Sequence, residues 1–415
     1  MELLRIATAG SVDDGKSTLI GRLLYETKSL KDDQLDHIEE KSKAKGLDYT
    51  DFSLATDGLL TEREQGITID VSHIYFNTPK RRFIIADSPG HVEYTRNMVT
   101  GASNAEVAII LLDARKGVIE QTQRHYSITR LMGIEKVVFA INKIDLIDYD
   151  EGQFEAIIAS IKSLIAQTST APKEIHYIPL SALNGDNIVR ASQETPYYNG
   201  PSLLELIHQL PIENSIHDEN ILQVQYVIRP QLEAYHDYRG FAGKVRSGQF
   251  KIGDEVEVFP TGLKARIKEI EKYGEATSTI REGENATLLL DKEIDISRGN
   301  AIVGVNSPIE QTKTITATIC WMQVDKLAAG KKYWVQIGAQ KIQAKVTNVV
   351  EKIQLSQKGN ISADALELND IGTANIQLAQ PILALTFSQN KQLGVFILID
   401  PLTNNTAGIG FTQSA

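Results

Sequence analysis

The stretch Gly10-Ser-Val-Asp-Asp-Gly15-Lys16-Ser17 fits the pattern G-x-x-x-x-G-K-[ST] completely. It follows the apolar run Leu3–Ala9, which reads as a strand. It opens residues 16–25, which read as a helix. Strand, glycine-rich turn and helix in that order make a phosphate-binding loop. Gly10 and Gly15 let the backbone wrap closely, so that N–H groups of the loop point at phosphate oxygens. Ser11, Val12, Asp13, Asp14 and Thr18 complete this candidate cradle. Lys16 brings a cation to the terminal phosphates, and Ser17 brings a hydroxyl to Mg²⁺, which keeps mostly water and phosphate oxygens around it.

The pattern around this loop sets the fold class. Apolar strands at residues 82–86, 107–113, 136–141 and 175–179 alternate with helical segments at 121–132, 151–167 and 202–209. Strands separated by helices imply a parallel-rich sheet covered on both faces. After about Pro211 the pattern changes to short runs of alternating apolar and polar residues, punctuated by Gly and Asp. That is the signature of small antiparallel barrels. The expected class is α/β: a P-loop domain over residues 1–212, then two antiparallel β-barrels over 218–306 and 311–415. Residues 213–220 and 306–311 read as the linkers.

Composition narrows the setting. The chain has 415 residues, 42% hydrophobic and 23% charged, which suits a globular protein of several domains. No apolar run approaches the ~18 residues of a membrane span, and the N-terminus MELLRIATAG carries no secretory pattern. The single cysteine, Cys320, excludes an internal disulfide and a Cys-based metal cluster, and its apolar surroundings suggest a buried thiol. A cytoplasmic protein is expected, without membrane association. The net charge of −10 argues against stable nucleic-acid binding.

Three stretches choose the nucleotide. Asn142-Lys143-Ile144-Asp145 follows a buried strand, where Asp145 can accept two N–H bonds from guanine N1 and N2. Adenine has no donors there and would leave the carboxylate unpaired. Asn142 can tie this loop to the phosphate loop, and the Lys143 stem can cover the base. Ser181-Ala182-Leu183 can present a backbone N–H to guanine O6. Asp87-Ser-Pro-Gly90 follows the strand RRFIIA, placing Asp87 near Mg²⁺ and the Gly90 N–H near the γ-phosphate. The four motifs in this order point to GTP rather than ATP.

Together they resemble the translation-factor class of GTPases, the elongation factor Tu type, over essentially the whole chain. The resemblance implies that Thr68 of GITID binds Mg²⁺ when GTP is present, and that His91 positions the attacking water. It implies that Val12 and Ile67 flank that histidine and gate it. Lys16 and Mg²⁺ then supply most of the stabilisation of a loose phosphoryl transition state. Residues 25–65 match switch I and residues 90–101 match switch II. Asp13 matches a family position where an Asp holds a cation or the loop backbone. Asp14 stands where that class has His, which leaves its role open.

Longer stretches are similar to the large subunits of bacterial sulfate adenylyltransferase (ATP sulfurylase). They include DGLLTEREQGITIDVSHIYFNT, LLDARKGVIEQTQRH, HDYRGFAGKVRSGQFKIGDEV and FILIDPLTNNTAGIG. That resemblance implies a GTPase subunit in a heteromeric complex. Its smaller catalytic partner makes adenosine 5′-phosphosulfate and pyrophosphate from ATP and sulfate, the first step of sulfate assimilation. GTP hydrolysis would drive this uphill step. Some relatives carry a fused adenylylsulfate kinase. No second G-x-x-x-x-G-K-[ST] follows residue 18, so that activity is not expected. The rival reading is an elongation factor delivering aminoacyl-tRNA to the ribosome. Against it, residues 402–410 carry no Arg or Lys where Tu-type factors have a basic turn. A stand-alone regulatory GTPase is a third reading. Trp321 and Trp334 read as barrel core, and residues 235–239 as a hairpin loop or a partner contact.

Overall fold

In the computed structural model, the described residues are 2–55, 72–88, 95–167, 171–212, 219–230, 238–307, 309–355 and 359–414. Thr68, Gly90, His91, Ile67 and residues 213–218 and 231–237 therefore fall outside the description, as do the assignments placed on them. The chain divides into two compact units, residues 1–213 with 354–359 and residues 214–353 with 360–415.

The first unit is built on a six-stranded sheet in the order β2-β3-β1-β4-β5-β6. Its strands are β1 (Leu3–Ala9), β2 (Ser72–Asn77), β3 (Arg82–Asp87), β4 (Val107–Asp113), β5 (Lys136–Asn142) and β6 (Glu174–Pro179). All neighbours run parallel except β2 and β3. Every residue of β4 and β5 is buried, as expected for central strands covered on both faces. The chain leaves β1 for one side of the sheet and later continues on the other. The loop after β1 thus lies at the switch point where α/β sheets bind ligands.

Strand β2 was not foreseen from sequence. SHIYFN has weak alternation, and Tyr75 is largely exposed at this sheet edge. It is held by its antiparallel register, in which Phe76 lies opposite Phe83 with the rings stacked at 4.6 Å.

The helices fall within two residues of their expected bounds: α1 (Lys16–Glu26), α4 (Glu120–Leu131), α5 (Glu151–Ile165) and α6 (Leu203–Gln209). Between them in chain order come α2 (Asp32–Ala44) and α3 (Thr95–Ala102). Ser202 starts α6 with a capping box. Its hydroxyl accepts from the Glu205 N–H, and Glu205 accepts from the Ser202 N–H.

Part of the region expected to be a solvated switch is ordered by packing. Helix α2 has Asp32 and Asp33 in its first turn and Lys41 and Lys43 in its last, matching the helix dipole. A 3-10 turn at Phe52–Ala55 then docks on α1. Phe52 is buried, with the Tyr25 ring centroid at 4.6 Å and the Arg22 guanidinium at 4.6 Å. A glycine is required beneath it: a Cβ on Gly21 would lie 1.9 Å from the Phe52 carbonyl oxygen.

The second unit contains two closed antiparallel barrels. The first uses β7 (Ile221–Ile228), β8 (Gly240–Ser247), β10 (Glu255–Phe259), β11 (Leu263–Lys272), β14 (Asn285–Leu290) and β15 (Ala301–Gly304). Short strands β9 (Gln249–Lys251), β12 (Glu275–Thr277) and β13 (Thr279–Arg281) complete its margin. Pairing of β10 with β11 closes it around Val224, Phe241, Phe250, Val258 and Leu288. The second barrel is closed in the same way by β18 (Lys332–Ile337) and β19 (Gln340–Ile353), after β16 (Gln311–Trp321) and the two-residue β17 (Leu327–Ala328). Trp321 and Cys320 are fully buried in it, as the sequence suggested.

The barrels share an apolar interface in which Ile221, Phe259 and Val303 pack with Leu385 and Leu393. Buried Gln223 crosses it, its Nε2 donating to the Ile337 carbonyl at 3.1 Å.

Candidate nucleotide site

The site lies at the carboxyl ends of β1, β3, β4 and β5. The sheet register sets Thr8 beside Asp87 and Asp113 beside Asn142. Each of these strands thus carries a polar side chain at or next to its last residue, at the same end of the sheet.

The loop after β1 has the geometry the glycines allow. Gly15 caps α1 at φ 91°, a left-handed conformation. A Cβ there would lie 2.4 Å from the Asn142 Nδ2. Asp13 is exposed and also has positive φ, at 69°. Lys16 is buried, and its Nζ donates to the Gly10 carbonyl at 2.9 Å, folding the cation back across the loop. Burial lowers its pKa, while Asp87, Asp14 and Asp13 favour the charged form. Ser17 and Thr18 are half-buried in the first turn of α1.

The role of Asp14 becomes clear. Its Oδ2 accepts the Ser11 N–H at 2.6 Å, and its own N–H donates to the Ser11 carbonyl at 3.2 Å. The side chain closes the loop on itself from within. Burial raises the pKa of this carboxyl, and its Oδ1 has no hydrogen-bond partner.

Asn142 joins the phosphate loop to the third motif, as its position in NKID suggested. Its Nδ2 donates to the Asp14 carbonyl at 2.7 Å, and its Oδ1 accepts the Ala182 N–H at 2.9 Å. The Ala182 N–H is therefore committed to Asn142, and the Ser181 N–H to the Asp186 carbonyl. Of the three, the Leu183 N–H is the candidate donor to guanine O6. Asp145 sits in the 3-10 turn Ile144–Ile147, and its Oδ1 is shielded without a partner. A carboxylate oxygen in that state suits the N1 and N2 donors of guanine.

Three contributors were not singled out from sequence. Asp113 accepts two bonds from the Arg115 side chain, at 3.0 and 2.6 Å, and lies 3.2 Å from the Lys143 Nζ. Burial alone would raise its pKa, but Arg115 and Lys143 hold it down to about 2. Lys143 also donates to the Asp13 carbonyl, so Asp113 orients it across the loop. Arg22 of α1 donates to the carbonyls of Ala182 and Leu183, fixing the base-binding loop from below. A signal for Asp113 was present: VAIILLD ends in a lone carboxylate just as RFIIAD does. Arg22 carried none, since an arginine on an amphipathic helix reads as a solvent-facing residue.

Asp87 is buried and its Oδ1 accepts the Thr8 hydroxyl at 2.9 Å. With the Ser17 hydroxyl it would offer an oxygen-only donor set. Among the described residues no cluster of three or more Asp, Glu, His or Cys could hold a metal by itself. Such a sparse set fits Mg²⁺, which takes one or two protein oxygens and leaves the rest to phosphates and water. Among the same residues no helix is long and apolar enough to cross a membrane.

The chain is similar to known proteins. Residues 1–213 match the elongation factor Tu GTP binding domain, and residues 314–413 match the GTP-eEF1A C-terminal domain-like family. Sulfate adenylyltransferase subunit 1 of Psychromonas ingrahamii is 43% identical over 416 residues, covering 100% of this chain and 87% of that protein. The same subunit of Cellvibrio japonicus is 42% identical, covering 99% and 86%. The bifunctional enzyme CysN/CysC of Mycobacterium tuberculosis is 44% identical, covering 98% of this chain and 67% of that protein. The chain belongs to the large GTPase subunits of sulfate adenylyltransferase. The fold of this large subunit is that of the elongation factor Tu type, and its first domain is a GTP-binding domain.

Proposed function

We propose that this GTPase subunit couples GTP hydrolysis to sulfate activation on a smaller catalytic partner. In the coupled reaction a sulfate oxygen attacks the α-phosphorus of ATP, giving adenosine 5′-phosphosulfate and releasing pyrophosphate. Water attacks the γ-phosphorus of GTP, giving GDP and phosphate. The present chain carries the second reaction only. The 42–44% identity to sulfate adenylyltransferase subunits along the whole chain, joined to the match of residues 1–213 to a GTP binding domain, is the observation that supports this reading.

The residues divide the work. Asn142, Asp145 and the Leu183 N–H select guanine, while Gly10 to Gly15 cradle the phosphates. Lys16 leaves the Gly10 carbonyl for the terminal phosphates when GTP enters. Mg²⁺ would be held by Ser17 and Thr68, with Asp87 nearby, and would neutralise developing charge on the phosphate oxygens. His91 orients the attacking water. Val12 and Ile67 keep His91 away until the partner is engaged.

The test is GTP turnover by the complex of this chain with its smaller subunit, with and without ATP plus sulfate. The expected result is a rise that requires both, with adenosine phosphosulfate and pyrophosphate as products. The variant His91→Ala should bind GTP normally and lose most of that stimulated turnover. Stimulation by ribosomes and charged tRNA instead would assign the protein to translation.

A further inference from the structure

The two barrels close their walls with hairpins in the same place in each strand order, β10 with β11 in the first and β18 with β19 in the second. Their outward charges differ in kind. In the first barrel the register sets Glu255 opposite Arg266 and Glu257 opposite Lys264. Glu255 and Arg266 form an ion pair at 2.6 Å. Opposite charges across strands stabilise a hairpin.

In the second barrel the register sets Lys332 opposite Lys345. Both are exposed, as are Lys331 beside them and Lys341 further along the same hairpin. The outward residues of this wall are Lys332, Trp334 and Gln336 on β18, and Lys341, Gln343 and Lys345 on β19. None is acidic. Among the described residues, the ion pairs of this barrel join Lys326 to Glu367 and Lys352 to Asp370, and involve none of these four lysines. Directly opposed like charges destabilise a sheet, so this wall is held at a cost to folding.

Trp334 sits in the middle of the wall. The sequence reading placed it in the barrel core, but it points outward and is only half-buried. The Lys341 ammonium lies 5.2 Å from its ring centroid. A half-exposed Trp framed by cations has the makeup of an interface hot spot, in which the ring supplies area and the rim steers charge. A second copy meeting this wall by the same face would set lysine against lysine, because none of the four is in an ion pair among the described residues.

We infer that the Lys332/Trp334/Lys345 wall of the second barrel is a docking surface for an acidic patch on the smaller catalytic subunit. This rests on the reading of the chain as one partner of a two-subunit enzyme. Charge complementarity makes the occupant acidic. A protein is favoured over nucleic acid because an apolar ring, not a phosphate-spaced row of arginines, holds the centre, and the overall charge repels a polyanion.

The experiment measures affinity of the full chain for the purified smaller subunit at low and high salt. It compares wild type with Lys332→Glu/Lys345→Glu, Lys345→Gln and Trp334→Ala. The expected results are at least a tenfold loss of affinity for the double variant and a shallower salt dependence. Lys345→Gln should melt no lower than wild type while binding more weakly, which a merely structural lysine would not do. GTP affinity should be unchanged in all. Equal affinity and salt dependence of wild type and the double variant would overturn the docking surface alone. No binding by wild type would remove the two-subunit reading and the surface with it. Unchanged binding to the smaller subunit, with loss of binding to a DNA duplex, would assign the wall to nucleic acid and overturn the inference.

Discussion

Asn142 donates its side-chain amide to the Asp14 carbonyl at 2.7 Å, across 128 residues of sequence. The bond makes the phosphate loop and the base-recognition loop a single object. Asn142→Ala would leave the Asp14 carbonyl and the Ala182 N–H without buried partners. Each costs about 1–3 kcal/mol. The expected outcome is a lower melting temperature and at least a roughly tenfold weaker affinity for GDP and GTP alike, read by nucleotide fluorescence and thermal melting.

Gly15→Ala tests the same junction from the other side. An alanine would have to adopt φ 91° with its Cβ 2.4 Å from the Asn142 Nδ2. Loss of nucleotide binding, with the barrels still folded by circular dichroism, is expected. An alanine variant that binds GTP normally would show that the loop can take another shape.

Specificity should follow the unpartnered Asp145 Oδ1. Asp145→Asn replaces an acceptor with an N–H donor facing the base. Guanine should lose on the order of 100-fold or more in affinity. Xanthine, with a carbonyl at C2, should gain relative to it. Competition between GTP and xanthosine triphosphate measures the ratio, and an unchanged preference for GTP would place guanine elsewhere.

His125 gives a pH dependence. It is buried in α4, with its Nδ1 unpartnered and its Nε2 3.0 Å from the Gln121 side-chain nitrogen. Burial, aided by Lys16 and Arg124, lowers its pKa from 6.5 to about 3. The folded form therefore resists a proton that the unfolded chain accepts. Stability is complete above 6.5 and falls as pH drops from 6.5 toward 3, by about 1.4 kcal/mol per pH unit once the unfolded histidine is charged. His125→Gln should flatten that part of the profile in melting curves taken between pH 7 and 5.

The site was legible where chemistry constrains short sequence patterns. Gly10, Gly15, Lys16, Asn142 and Asp145 each answer to a local demand of phosphate or guanine, and their spacing carries that demand. The fold class was legible because β4 and β5 are continuously apolar between their polar ends while the barrel strands alternate. Strand β2 was not, since its place depends on pairing with β3 rather than on its own pattern. Arg22 and Arg115 escaped for a related reason. Their partners are carbonyls and a carboxylate brought near by the sheet, and nothing in the neighbouring residues announces them. Trp334 was misplaced because Tyr333 and Trp334 stand side by side in KYWVQI, and period alone does not reveal which of the two looks inward.

The Gln223 amide, seated among Ile221, Phe259 and Leu393, gives the two barrels mechanical continuity. Apolar contact alone would let them slide, since methyl groups have no preferred register. A directional bond to the carbonyl of Ile337, the last residue of β18, removes that freedom. A load applied to the lysine wall would then travel through the strand that carries it and into the neighbouring barrel, as through one stiff beam.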